Sequence, residues 1–142
     1  MRSAYQVLAR GILAATALQI ALVNFGVSWD EHAVTHGKTL DAGSYMDNAG
    51  FGLGWLVGHA IVPLLAIALV AVAFRARIPH GMRRALVILG CTIVAVLLGA
   101  VTATVPAVGV LCGLTQVAVL GLAALAGTRT VPQALAETSP AV

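Results

Sequence analysis

Residues 50–74, GFGLGWLVGHAIVPLLAIALVAVAF, contain no Asp, Glu, Lys or Arg. About 20 residues at about 1.5 Å rise each cross the hydrocarbon core of a bilayer, so this run is long enough to span one as a helix. Hydrocarbon offers backbone amides no partner, and a helix satisfies them within the segment. The run carries one ionisable side chain, His59. A polar group at such depth is costly unless it faces protein, water or a ligand, which makes His59 the first candidate functional residue.

Three more apolar runs accompany it, and the chain reads as an all-α integral membrane protein, an antiparallel four-helix bundle with spans at 7–27, 52–74, 85–105 and 108–127. Composition agrees: 9% of the 142 residues are charged, where soluble domains carry about 25%. The first run is longer than a signal-peptide core and lacks a small-x-small cleavage site, so it reads as an uncleaved span. An outer loop at 28–49 follows it, with Trp29 and Tyr45 as interfacial anchors. Turns are expected at Pro79 with Gly81 and at Pro106, and residues 128–142 read as a disordered cytoplasmic tail.

The cations sort by side. Arg2, Arg10, Arg75, Arg77, Arg83, Arg84 and Arg129 fall at one set of span ends and Lys38 at the other, so the positive-inside rule puts both termini in the cytoplasm of a multi-pass plasma-membrane protein. Scattered this way, the net charge of +3 forms no basic face for nucleic acid; the expected surroundings are the lipid bilayer.

Depth then separates the polar side chains. Gln19, Asn24, His59, Thr102, Cys112, Thr115 and Gln116 all fall in the outer half or near the midplane, and the inner half is almost purely aliphatic. His59 lies roughly 10 Å and Gln116 about 13 Å from the outer ends of their spans. His59, Gln19, Cys112 and Gln116 are therefore the candidate cofactor-binding set. They read as a hydrogen-bonded structural cluster or as a pocket for haem b or a quinone, with His59 as axial ligand or hydrogen-bond donor. Pro63, one turn after His59, removes a backbone donor and favours a kink.

Gly50, Gly54 and Gly58, like Gly109 and Gly113, follow the small-xxx-small pattern of close helix packing, with a homo-oligomer or a larger membrane complex as one use of the first strip. Cys91 and Cys112 lie at different depths and are expected as free thiols. In the outer loop, His32 and His36 stand four residues apart beside Asp30 and Glu31, a spacing that would put both imidazoles on one helix face for a divalent metal. The chain shows no nucleophile with a placed base, no paired intramembrane carboxylates and no phosphate loop, which argues against an enzyme.

The stretches FGVSWDEHAVTHGKTLDAG, GHAIVPLLAIALV, RARIPHG and VPAVGVLCGLTQVAVLGLAALA, in that order, resemble a family of uncharacterised small four-span membrane proteins common in actinobacteria. That resemblance implies histidines in spans two and four, similar to the paired haem ligands of four-helix membrane cytochromes; the corresponding positions here are near Gly54 and at Cys112. The functional expectation is a non-enzymatic membrane protein, an accessory subunit of a larger assembly. Its alternatives are a haem- or quinone-binding redox protein centred on His59 and metal binding at His32 and His36.

Overall fold

Buried residues recur at alternating spacings of three and four along each helix of the computed structural model, which describes residues 2–40, 47–77, 80–102, 105 and 107–128. In α1 (Arg2–Thr35) they are Tyr5, Ala9, Ile12, Thr16 and Gln19; in α2 (Ala49–Ala76), Val62, Ala66, Leu69 and Ala73. In α3 (Gly81–Thr102) they are Gly81, Ala85, Ile88 and Thr92, and in α4 (Val108–Thr128), Val119, Ala123 and Ala126. This 3-4 rhythm keeps one seam of each helix against its neighbours. Both α1 and α3 pack between α2 and α4, closing a ring of four helices, and the described residues contain no strand.

All four helices are long and apolar enough to cross a membrane. Only 11–33% of the most apolar 18-residue window of each is buried within the chain, so most of that apolar surface faces outward and needs hydrocarbon to cover it. Lipid tails are as apolar as the side chains, so helix association there depends on close contact more than on the hydrophobic effect. The core shows how the contact is made. Ala9, Ala66, Ala85 and Ala123, one from each helix, are fully buried, and Ile12, Leu69 and Ile88 fill the space between them. At this end the Tyr5 hydroxyl donates to the Gly81 carbonyl at 3.3 Å.

Toward the other end the seam changes character, from Ile12 and Ile88 to Thr16, Gln19 and Thr92. There α1 and α2 come very close. A Cβ on Gly50 would stand 2.5 Å from the Gly26 nitrogen and 2.7 Å from the Leu22 carbonyl oxygen, so only glycine fits. Asn48 locks the crossing: its carbonyl oxygen caps α2 by accepting from Gly50 N at 3.0 Å, and its amide donates to Gly26 O at 2.9 Å and Asp30 Oδ1 at 2.7 Å.

Three features depart from the sequence expectations. First, α1 runs on to Thr35 through the segment expected as outer loop, because SWDEHAVT holds no glycine or proline and the first break is Gly37, at φ +81°. Gly37 N and Lys38 N close the end by bonding to Val34 O and Ala33 O. At about 51 Å, α1 exceeds the hydrocarbon thickness of about 30 Å, so its polar end can stand in the headgroup region. Second, α2 contains a π-helical turn at Val57–Ile61. Third, the Gly50, Gly54 and Gly58 strip is buried against α1, facing Gly26, Val23 and Gln19, and is not a surface for a second chain. The expected features at Tyr45, Pro79 and Pro106 and the tail from 129 lie outside the described residues.

Candidate functional site

His59 sits inside the π-helical turn of α2. The cause is four residues on: Pro63 lacks the N–H that would bond to the His59 carbonyl, and its ring crowds that carbonyl, so the backbone widens, with Val62 N–H reaching back five residues to Val57 O. His59 Nδ1 is 3.1 Å from the Trp55 carbonyl oxygen. A carbonyl only accepts, so Nδ1 carries the hydrogen and Nε2 keeps its lone pair. The Trp55 indole stacks on the imidazole, with ring centres 4.9 Å apart and planes 15° apart. Two contacts from one residue thus fix the ring, and a π turn is a frequent setting for such a functional side chain.

The exposed end of the lone pair meets α3 at Gly99. A Cβ there would lie 3.2 Å from His59 Nε2 and 3.4 Å from Cε1, and no other atom stands within 4 Å of it. Gly99 therefore lets the imidazole edge lie close to α3, where a methyl group would press on Nε2. Across the bundle, the Gln19 amide occupies the place where a side chain of Gly58 would be, with Cδ 2.5 Å from a Cβ built there. On α4, the Gln116 amide donates to Cys112 Sγ at 3.8 Å, and the Cys112 thiol donates to Ala95 O of α3 at 3.6 Å.

The structure brings all four sequence candidates to one place. Gln19, His59, Cys112 and Gln116 are common to the walls of two adjoining cavities. The inner cavity is about 30 Å³ and reaches Thr16 and Thr92; the outer is a cleft of about 290 Å³ floored by Gly54, Gly99, Gly109 and Gly113 and bounded by Trp55 and Thr102. A cavity needs about 10–15 Å³ to hold a water, so the inner one has room for at least one. The cleft is at the lower edge of small-ligand sites, about 300–1,000 Å³.

Thr16 is the residue that depth alone did not single out. It is 1% exposed, and its hydroxyl has no hydrogen-bond partner among the described residues. The comparison within the bundle is direct: Thr92, Thr102 and Thr115 each donate to the carbonyl four residues back, at 2.7–2.9 Å, and Thr16 does not. A buried hydroxyl left unpaired costs about 1–3 kcal/mol. The signal available in the sequence was its spacing, three residues before Gln19 on the same seam.

Other candidates stand elsewhere. Asn24 is exposed and donates to Ile20 O at 2.8 Å, and Thr115 bonds to Leu111 O, so neither joins the cluster. Cys91 and Cys112 are both free. His32 and His36 lie at the end of α1 with ring centres 4.1 Å apart, the shared face their spacing implied, but His36 Nδ1 is held by His32 O at 2.8 Å. No group of three or more His, Cys, Asp or Glu capable of holding a metal occurs among the described residues. The chain matches no protein-family model, no curated protein and no solved structure.

Proposed function

We propose that this chain is a multi-pass membrane protein that acts by binding, holding a small lipid-soluble ligand between its spans in the cleft beside His59. The observation that carries this reading is the unpartnered Thr16 hydroxyl, buried in the wall of the inner cavity, which shares Gln19, His59, Cys112 and Gln116 with a glycine-floored cleft. A cluster serving only to join helices would satisfy its own members. This one leaves the buried Thr16 hydroxyl without a partner among the described residues.

The reading includes an antiparallel bundle in the plasma membrane with both termini cytoplasmic, supported by seven arginines against one lysine across the span ends. In that frame the cleft lies in the outer half of the bilayer. Geometry favours a ligand smaller than haem: the cleft volume is at the lower edge of the ligand-site range, and His59 is the one histidine lining it, so paired imidazole ligation is not available from this chain. The test is organic extraction of protein purified from native membranes, followed by mass spectrometry. An apolar small molecule is expected in near-equal amount to the protein, and depleted from Gly99→Ala. Equal recovery from both proteins overturns the reading, and a Soret band that His59→Ala removes would replace the small ligand with haem.

A second reading, the accessory subunit, is supported by Gly90 on α3 and Gly121 on α4, which are exposed with no atom within 4 Å of a Cβ built at either. Such bare positions admit a helix of another chain. A purely monomeric species on blue-native gels counts against it.

A further inference from the structure

Where α2 gives way to α3, four arginines fall within ten residues: Arg75, Arg77, Arg83 and Arg84. The acidic residues that the structure describes, Asp30, Glu31 and Asp47, stand at the opposite end of the bundle, beside the end of α1 and the start of α2. Among the described residues, no carboxylate therefore meets the Arg75, Arg77 or Arg83 guanidinium. Uncompensated cations at a membrane boundary attract anionic headgroups.

Two of the four also line a space. Arg75 and Arg77 share a cavity of about 450 Å³ with Ala73, Phe74 and Met82, so cationic and apolar side chains meet there. That volume lies within the range of small-ligand sites. Both helices that bound it are long and apolar enough to cross a membrane, and Phe74 is 73% exposed, which puts the cavity where hydrocarbon gives way to water. Arg77 follows α2 in the left-handed conformation, at φ +45°, a position that glycine fills with less strain. An amphiphile matches this lining: guanidinium forks suit a phosphate, and Phe74 and Met82 suit acyl chains. A zwitterionic headgroup would bring a further ammonium among cations that already lack a carboxylate.

We propose that the cavity between the end of α2 and the start of α3 binds one phospholipid of net negative charge, with Arg75 and Arg77 on its phosphate and Phe74 and Met82 against its chains. This site is separate from the His59 cleft, and neither proposal depends on the other.

The experiment titrates the full chain, stripped of lipid in detergent, with phosphatidylglycerol or with phosphatidylcholine of identical acyl chains, and counts bound lipids by native mass spectrometry. The first phosphatidylglycerol is expected to bind with a Kd at least about fivefold lower than phosphatidylcholine, the factor that one arginine near a headgroup supplies. Arg75→Gln and Arg77→Gln are each expected to weaken phosphatidylglycerol binding by about fivefold. Arg83→Gln removes the same charge from the same end but from outside the cavity, and is expected to change binding by less than about twofold. All three side chains are exposed, so the substitutions leave the core untouched. Glycerol 3-phosphate in millimolar excess is expected to leave the lipid bound. Equal loss from all three variants would show diffuse attraction and overturn the site, as would equal affinities for the two lipids. Displacement by glycerol 3-phosphate would overturn the lipid assignment in favour of a soluble phosphate.

Discussion

At the scale of single residues, the glycines divide into those that hold the bundle together and those that keep space open, and the two kinds respond oppositely to a methyl group. In Gly50→Ala the new Cβ meets the backbone of α1, which cannot rotate away as a side chain can. The cost is expected at about 1–3 kcal/mol, read as a lower midpoint in detergent-resistance or thermal unfolding assays. Gly90→Ala meets nothing within 4 Å and is expected to gain up to about 1 kcal/mol from helix propensity in the same assay. Sequence depth found Gln19, His59, Cys112 and Gln116, because polar atoms in an apolar span have few places to go. Asn24 and Thr115 share that depth but bond to their own helices, since depth says nothing about which way a side chain faces. The 3-4 seam supplies that direction. It passes through Tyr5, Ala9, Ile12, Thr16 and Gln19, so Thr16 was legible by rhythm though not by depth.

At the scale of elements, α2 carries the site because its backbone departs from the α-helix at the right turn. Pro63→Ala restores the N–H that can bond to His59 O, so the π turn at Val57–Ile61 is expected to close into α-helix. Closing it rotates His59 relative to the seam. The variant should therefore be more stable to heat than the natural chain while binding ligand less tightly, a split that a merely destabilising change would not produce. The start of α2 depends on Asn48, which joins the cap at Gly50 to Gly26 and Asp30 of α1. Asn48→Ala is expected to lower stability by about 1–2 kcal/mol in the same unfolding assays, with Asp30→Asn costing less because an amide oxygen can still accept. The proline was visible in the sequence, and its preference for a distorted helix with it. The kind of distortion was not, because a kink and a π turn relieve the same clash and the surrounding packing chooses between them. Similarly, a loop was expected where α1 continues to Thr35, since polarity marks the end of the hydrocarbon and not the end of a helix.

At the scale of the whole molecule, four helices each bury a minority of their apolar surface, so the fold is completed by lipid, and the composition alone was enough to show it. The glycine strip of α2 was readable as a packing surface, but only the structure shows that α1 occupies it. The proposed orientation has its own check: in intact cells an impermeant maleimide should label Lys38→Cys and leave Arg83→Cys unlabelled until the membrane is permeabilised, and the reverse pattern would invert the topology. The proposed binding turns on one atom, His59 Nε2 beside Gly99, whose lone pair is free because Nδ1 donates to the Trp55 carbonyl. The most direct measurement is nitrogen-15 NMR of histidine-labelled protein in nanodiscs, with the His59 signals assigned by their loss in His59→Gln. The expected result is hydrogen on Nδ1 and a bare Nε2 whose signal differs between protein carrying its co-purified ligand and protein stripped of it; hydrogen on Nε2 alone, with signals identical in the two samples, would contradict the proposed binding.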